Sequence, residues 1–251
     1  MTLNVESLRF AYKENTVLHD VSFSTGDAGI TAVLGPNGSG KTTLLRCINR
    51  ILKPQGGRVL LDDKPVDKLT GKEIAKSIAY VAQKTYSGNI SVFDAILLGR
   101  IPHISANVSD NDMAVTNDVI ERLDMVSLSL RMLNELSGGE LQKVSIARAL
   151  VQQTSLILLD EPTAALDLKN QIDILKLLGE ITEKNQIKVL LSIHDLNTAF
   201  RYADQFIFLK NGKVVGFSDR WGITAGMIEN VYNVSVDLRW FDDIPVITPA
   251  N

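Results

Sequence analysis

The stretch Ile30-Thr31-Ala32-Val33-Leu34-Gly35-Pro36-Asn37-Gly38-Ser39-Gly40-Lys41-Thr42-Thr43 decides how the rest of the chain is read. Its first five residues are an apolar run of the kind that a fully buried parallel strand uses. After the glycine-rich part, Leu44, Leu45, Ile48, Ile51 and Leu52 continue at helical spacing until Lys53-Pro54-Gln55-Gly56-Gly57 stops them. Gly35, Gly40, Lys41 and Thr42 satisfy the spacing G-x-x-x-x-G-K-[ST]. A turn of this type lets several backbone N–H groups converge on phosphate oxygens, and the helix behind it presents its positive end to them. Lys41 then reaches the β- and γ-phosphates, and the Thr42 hydroxyl helps to hold Mg²⁺. From average composition, a chance match in a chain of this length has a probability on the order of one per cent. The strand–loop–helix context lowers it further. The stretch points to a nucleoside triphosphate without choosing among the many enzymes that bind one.

Working outward, the chain of 251 residues is 45% hydrophobic and 22% charged, which excludes disordered and fibrous classes and allows one large domain or two small ones. Its formal net charge of -3 argues against a generally basic nucleic-acid coat. The single cysteine, Cys47, can form neither an internal disulfide nor a thiolate-rich metal site. No apolar run approaches the roughly 20 residues needed to cross a bilayer, and Met1–Glu6 lacks the charged and apolar regions of a signal peptide. These features predict a soluble intracellular globular protein.

The start of the chain reads as β structure, with Leu3, Val5, Leu8 and Phe10 among polar neighbours and an alternating Val17–Phe23. Arg58–Leu61 reads as a further strand. From Ser91 to Val126 the pattern is helical, broken at Gly99, at Pro102 and through Ser105–Asp112. Leu141, Val144, Ala147 and Val151 mark one face of another helix. Strands return at Leu156–Leu159 and Val189–Ile193, with a helix near Leu168–Lys184 between them. The expected architecture is α/β, with a core lobe over about 1–83 and 154–220, a helical subdomain over about 84–153 and a C-terminal tail over about 221–251.

Leu156–Leu159 ends in Asp160-Glu161. Two carboxylates ending an apolar run are costly to bury unless something cationic compensates. Beside a phosphate loop Mg²⁺ is the natural partner, with Asp160 as an outer- or inner-shell ligand. Glu161 then points toward the γ-phosphate, where a general base for water belongs. Farther upstream, Leu136-Ser137-Gly138-Gly139-Glu140-Leu141-Gln142 carries S-x-x-E before an apolar-periodic helix, a capping box. A cap does not require two adjacent glycines, which lower helix propensity. Gly138 and Gly139 permit another molecule to approach the N–H groups of the helix N-terminus, which makes a second anion site.

With these strings in order, the sequence resembles the nucleotide-binding subunits of ATP-binding cassette (ABC) transporters along essentially its whole length. The phosphate loop is Gly35–Thr43, Tyr80-Val81-Ala82-Gln83 resembles the glutamine loop, Leu136–Gln142 the family signature and Leu156–Glu161 the second Walker motif. Ala164-Ala165-Leu166-Asp167 resembles the D-loop, and His194 matches the switch histidine. Tyr12 lies where the family stacks an aromatic ring on adenine. Read without the family, Tyr12 is an ordinary strand aromatic, Gln83 an unremarkable polar residue, His194 a core-edge histidine and Asp167 a cap for the helix near Leu168. Ala164 departs from the pattern, since relatives often carry serine there.

The resemblance implies a P-loop (RecA-like) core with an N-terminal antiparallel β region and an inserted helical subdomain. It also implies a head-to-tail dimer with two ATP molecules sandwiched between copies. Each ATP meets Lys41 and Thr42 of one copy and Ser137, Gly138, Gly139 and Glu140 of the other. Glu161 polarises the attacking water, His194 holds the γ-phosphate and Gln83 senses Mg²⁺ and water. Val92–Arg100 corresponds to the groove that receives a coupling helix from an integral membrane permease. This string and His194-Asp195-Leu196-Asn197 look most like importers of iron–siderophore, haem or cobalamin complexes, served by an extracytoplasmic binding protein. The subunit then sits in the cytoplasm on the inner face of the cell membrane. A zinc or manganese importer is the alternative within transport. An ATPase acting on DNA or ribosomes is disfavoured, because there is no room for a long coiled coil between Thr43 and Leu136, there is one set of motifs, and the charge balance is acidic.

Overall fold

The N-terminal residues alternate buried and exposed side chains and form β1 (Leu3–Tyr12), which pairs with β2 (Asn15–Thr25). The apolar run before the glycine-rich turn is β3 (Gly29–Leu34), followed by α1 (Lys41–Ile48). β4 (Gly56–Leu61) pairs with the other edge of β1, and β5 (Lys64–Pro65) completes an antiparallel sheet of order β2-β1-β4-β5. This computed structural model describes residues 2–26, 29–83, 88–164 and 166–250.

Beyond α2 (Gly71–Ser77) lies β6 (Ile78–Val81), which the sequence reading did not separate from the loop after it. Helices α3 (Val92–Leu97), α4 (Asp110–Arg122) and α5 (Gly138–Leu150) come next. The chain then alternates through β7 (Leu156–Asp160), α6 (Leu168–Asn185), β8 (Lys188–Ser192), α7 (Leu196–Tyr202), β9 (Gln205–Lys210) and β10 (Lys213–Asp219). It ends in α8 (Ala225–Tyr232) and a hairpin of β11 (Val236–Phe241) and β12 (Ile244–Pro249).

The second sheet has order β10-β9-β3-β8-β7-β6, with β10 antiparallel at one edge and the other five strands parallel. Every residue of β7 and β8 is buried, which is why their sequences show no alternation. Their side chains still go alternately to two faces. Leu156 and Leu158 pack with the antiparallel sheet and α1, while Ile157 and Leu159 pack with α6, α7 and the C-terminal residues Ile223, Ile228, Val231 and Val236. A third core, of Val92, Ile96, Val119, Ile120, Val144, Ala147 and their neighbours, belongs to α3, α4 and α5.

The polar stretch Ser105–Asp112, expected to break the helical pattern, contains the start of α4. Ser109 accepts a hydrogen bond from the Asp112 N–H, and the Asp112 carboxylate accepts one in return from the Ser109 N–H. Asp112 also takes the Nε–H of Arg100 at 2.9 Å, in a pair whose side chains are only 3% and 5% exposed. The same guanidinium donates to the Val151 carbonyl and to Gln153 Oε1, so it ties α4 to the end of α5.

The Ser109 hydroxyl and backbone N–H, with Arg100 behind them, hold the Asp112 carboxyl down at about 2. A folded-state value below the unfolded one contributes stability that is complete above about pH 4 and is lost as pH falls toward about 2. The urea midpoint of the native chain is therefore expected to drop more steeply across that window than that of Asp112→Asn. Equal slopes would refute the assignment.

Candidate functional site

In the parallel sheet β8 lies between β3 and β7, so the loops leaving the carboxyl ends of these three strands meet. The loop after β3 is forced into shape by glycine. A Cβ on Gly35 would stand 2.1 Å from the Leu209 carbonyl oxygen, and Gly40 caps α1 at φ +105°. Asn37 and Gly38 are exposed, Pro36 is half-buried, and Ser39, Lys41 and Thr43 are buried. The Ser39 hydroxyl is buried without a hydrogen-bond partner among the described residues. Lys41 Nζ donates to the carbonyls of Gly35 at 2.9 Å and Pro36 at 3.2 Å. Burial lowers the Lys41 pKa, and Glu161 and Asp160 oppose that shift. The loop thus holds a largely desolvated cation beside a hydroxyl that lacks a partner, which suits an incoming phosphate.

Asp160 closes β7 with 1% of its surface exposed. Its Oδ1 accepts from Thr42 Oγ1 at 2.9 Å and Ser192 Oγ at 3.0 Å, and its Oδ2 accepts from Tyr80 OH at 3.2 Å. Arg46 Nε donates in turn to the Tyr80 hydroxyl. Ser192 also accepts from the Glu161 N–H at 2.9 Å, and Glu161 has a left-handed backbone at φ +50°. A non-glycine residue in that region stores about 1–3 kcal/mol, held here by its surroundings. The Glu161 carboxylate is gripped on both oxygens, with Gln83 Nε2 donating to Oε2 and His194 Nε2 against Oε1.

Sequence reasoning singled out Thr42, Gln83, Asp160, Glu161 and His194, and the structure brings them together. It gave no role to Tyr80, Ser192 or Arg46. Tyr80 lies in the quoted glutamine-loop string and Ser192 in the expected strand Val189–Ile193, but only the order of the second sheet sets both hydroxyls beside Asp160. Among the described residues no group of three or more His, Cys, Asp or Glu side chains could hold a metal. The set offered is one hydroxyl and one carboxylate with an amide nearby. That set fits Mg²⁺, which takes one or two protein oxygens and completes its shell with water and phosphates.

Ser137 caps α5 in the expected box. Its N–H donates to Glu140 Oε2 at 2.8 Å, its hydroxyl accepts from the Glu140 N–H, and the Ser137 hydroxyl lowers the Glu140 pKa. The two glycines differ. Gly138 has open space where a Cβ would stand, whereas the same point on Gly139 lies 3.0 Å from the Asn170 amide of α6. A side chain at Gly139 would therefore press on the Asn170 amide, whereas a Cβ at Gly138 would meet none of the described residues. Asp167 caps α6 by accepting from the Asn170 N–H at 2.8 Å. The Ala164 N–H bonds the Glu161 carbonyl, and Ala165 lies outside the described residues. Tyr12, 44% exposed at the end of β1, is braced edge-on by Phe10. The Ser137–Glu140 turn opens a helix of the third core, whereas α1 behind the phosphate loop packs in another.

A family described as ABC transporter matches residues 18–164. The chain is 45% identical over 249 residues to an uncharacterised ABC transporter ATP-binding protein of Methanocaldococcus jannaschii, covering 99% of this chain and 98% of that one. It is 36% identical over 236 residues to the ferric enterobactin transport ATP-binding protein of Escherichia coli, covering 92% and 87%. A dimeric bacterial ABC transporter cassette superposes with a TM-score of 0.78 at 27% identity, covering 88% of this chain and all of that one. The matched family spans more than half of the chain, and relatives above 30% identity run along nearly all of it. The chain belongs to the ABC transporter family, as one of its ATP-binding, ATP-hydrolysing subunits.

Proposed function

We propose that this chain powers an importer of iron–siderophore, haem or cobalamin-type complexes by ATP-driven closure of a head-to-tail pair of copies. The observation that carries the reading is the Glu161 carboxylate, held between Gln83 and His194 one residue beyond Asp160 and near enough to Lys41 to act on its charge. The relative named for ferric enterobactin transport supports the cargo class.

Lys41 exchanges the Gly35 and Pro36 carbonyls for the β- and γ-phosphates, and the N–H groups of residues 37–43 surround them. Tyr12 offers its exposed ring to adenine. Mg²⁺, held by Thr42 and Asp160 with Gln83 nearby, supplies positive charge at the phosphates when bound. Glu161 takes the proton of the attacking water, so its carboxylate exchanges one of its two present contacts for that water. His194, once free of Glu161, donates to the γ-phosphate. The Ser137–Glu140 turn of a second copy covers the other side of the phosphates with its open Gly138 face, and Asp167 lies along the joint.

The helical group over about 84–153 works as a lobe on a core over about 1–83 and 154–220, with the tail over about 221–251. Leu98 and Ile101, 47% and 59% exposed beside α3, provide apolar surface for a membrane permease on the inner face of the membrane. Among the described residues no helix is long and apolar enough to cross a membrane, so the pore belongs to that partner. An extracytoplasmic binding protein delivers the cargo.

Removing a general base typically costs about 10²–10⁴ in rate. Glu161→Gln is expected to lose turnover on that scale and to elute as an ATP-locked dimer in size-exclusion chromatography. Normal steady-state hydrolysis would sink the assignment. Ser192→Ala leaves Asp160 short of a donor and the Glu161 N–H without its acceptor. In urea, without nucleotide, it is expected to lose about 1–3 kcal/mol of stability. An unchanged midpoint would show that the hydroxyl does not hold the two acids.

A further inference from the structure

His194 contacts Glu161 with a ring that is 42% exposed, so its position depends on the backbone that carries it. Upstream that backbone is weakly tied, since the Ile193 N–H reaches the Val33 carbonyl at 3.4 Å, where the β8 pairing with β3 ends. Downstream it enters α7, only seven residues long and capped by Asp195. Three residues after His194, the Asn197 amide makes two hydrogen bonds to one residue of the C-terminal hairpin. Its Nδ2 donates to the Ile247 carbonyl at 3.1 Å, and its Oδ1 accepts from the Ile247 N–H at 2.8 Å.

The hairpin register explains why that residue is available. Val236 faces Pro249, Leu238 faces Ile247 and Trp240 faces Pro245, so Pro245, Ile247 and Pro249 share one parity on β12. In an antiparallel pair the backbone groups of alternate residues point away from the partner strand. Proline has no N–H, so two of the three outward donors on this edge are deleted, and Asn197 takes the third. Only a side-chain amide offers a donor and an acceptor side by side, as a neighbouring strand would. The hairpin itself is anchored, because Val236, Leu238 and Ile247 pack with Ile193, Ala199 and Phe200 in one core.

We infer that Asn197 is a positioning residue for hydrolysis: its amide clamps α7 to β12 and thereby holds His194 in register with Glu161. The inference rests on the reading of His194 as part of the hydrolytic site. The phosphate loop and Tyr12 lie outside the clamp, so ATP affinity is not expected to follow it.

The test uses Asn197→Asp, which keeps the size and turns the donor into a second acceptor facing the Ile247 carbonyl. The variant is expected to lower kcat on the order of ten- to a hundredfold, the scale set by small misplacements of a reacting group, with KM for ATP unchanged. The two tryptophans of the chain, Trp221 before α8 and Trp240 on β11, stack at 5.4 Å and report release of the hairpin by their emission. In single-turnover hydrolysis, Asn197→Asp added to His194→Ala is expected to cost nothing further, because both act through one side chain. Full activity of Asn197→Asp, or an additive loss in the double variant, overturns the clamp. Wild-type activity of His194→Ala overturns the hydrolytic reading and the clamp with it, whereas an impaired His194→Ala beside a fully active Asn197→Asp overturns the clamp alone. If Asn197→Asp does not fold, Asn197→Ala deletes both hydrogen bonds of the clamp without setting a charge against the Ile247 carbonyl, and the same outcomes apply.

Discussion

The carboxyl end of the central sheet is organised by the donors that Asp160 needs. A carboxylate with 1% exposure at the end of an entirely buried strand is costly unless every lone pair is met. Thr42, Ser192 and Tyr80 meet it from three different elements: the helix after the phosphate loop, the end of β8 and the strand β6. Satisfying one buried acid therefore fixes where the phosphate loop sits relative to both strands flanking β7. The same Ser192 hydroxyl receives the Glu161 N–H, which holds that residue in a left-handed conformation and turns its side chain toward Gln83 and His194. Stability and the placement of the groups proposed for hydrolysis share these atoms.

Most of the fold was legible where a local pattern had one physical meaning. The buried run Ile30–Leu34 and the acid-terminated run Leu156–Asp160 read as strands because no helix is that short and that apolar throughout. The capping box at Ser137 and the cap at Asp167 were visible because side-chain spacing alone defines them. Less was legible where meaning depended on tertiary neighbours. β6 has four residues and carries no period to detect, and the start of α4 at Asp110 was hidden in a polar stretch whose Asp112 becomes buried against Arg100. Ser192 and Tyr80 could not be assigned, because a hydroxyl acquires a role only when the sheet order sets it beside Asp160. Gly139 was read as open to another molecule, and only the packing of α6 shows Asn170 against it.

On the proposed reading of Glu161 as the base, its contacts describe a state before the reaction. Each oxygen already has one partner, an amide on one and an imidazole on the other, so part of the carboxylate's accepting capacity is engaged. The residues that contact the carboxylate are the ones proposed to bind the phosphate and sense the metal. Each has two partners to choose between, and the incoming nucleotide brings the second. On the proposed mechanism, drawing one of these two partners off the carboxylate makes room for the attacking water.

That competition also gives the C-terminal segment a physical reason to be tied to the site. For His194 to move between Glu161 and a phosphate oxygen, its ring must swing while its backbone stays in place. A short helix at the end of a ladder does not supply that rigidity alone. The hairpin supplies it through two hydrogen bonds to one asparagine, on an edge where prolines have removed the other donors. On the proposed clamp the tail is continuous with the mechanism: the hairpin farthest along the chain from the phosphate loop sets how firmly His194 is held.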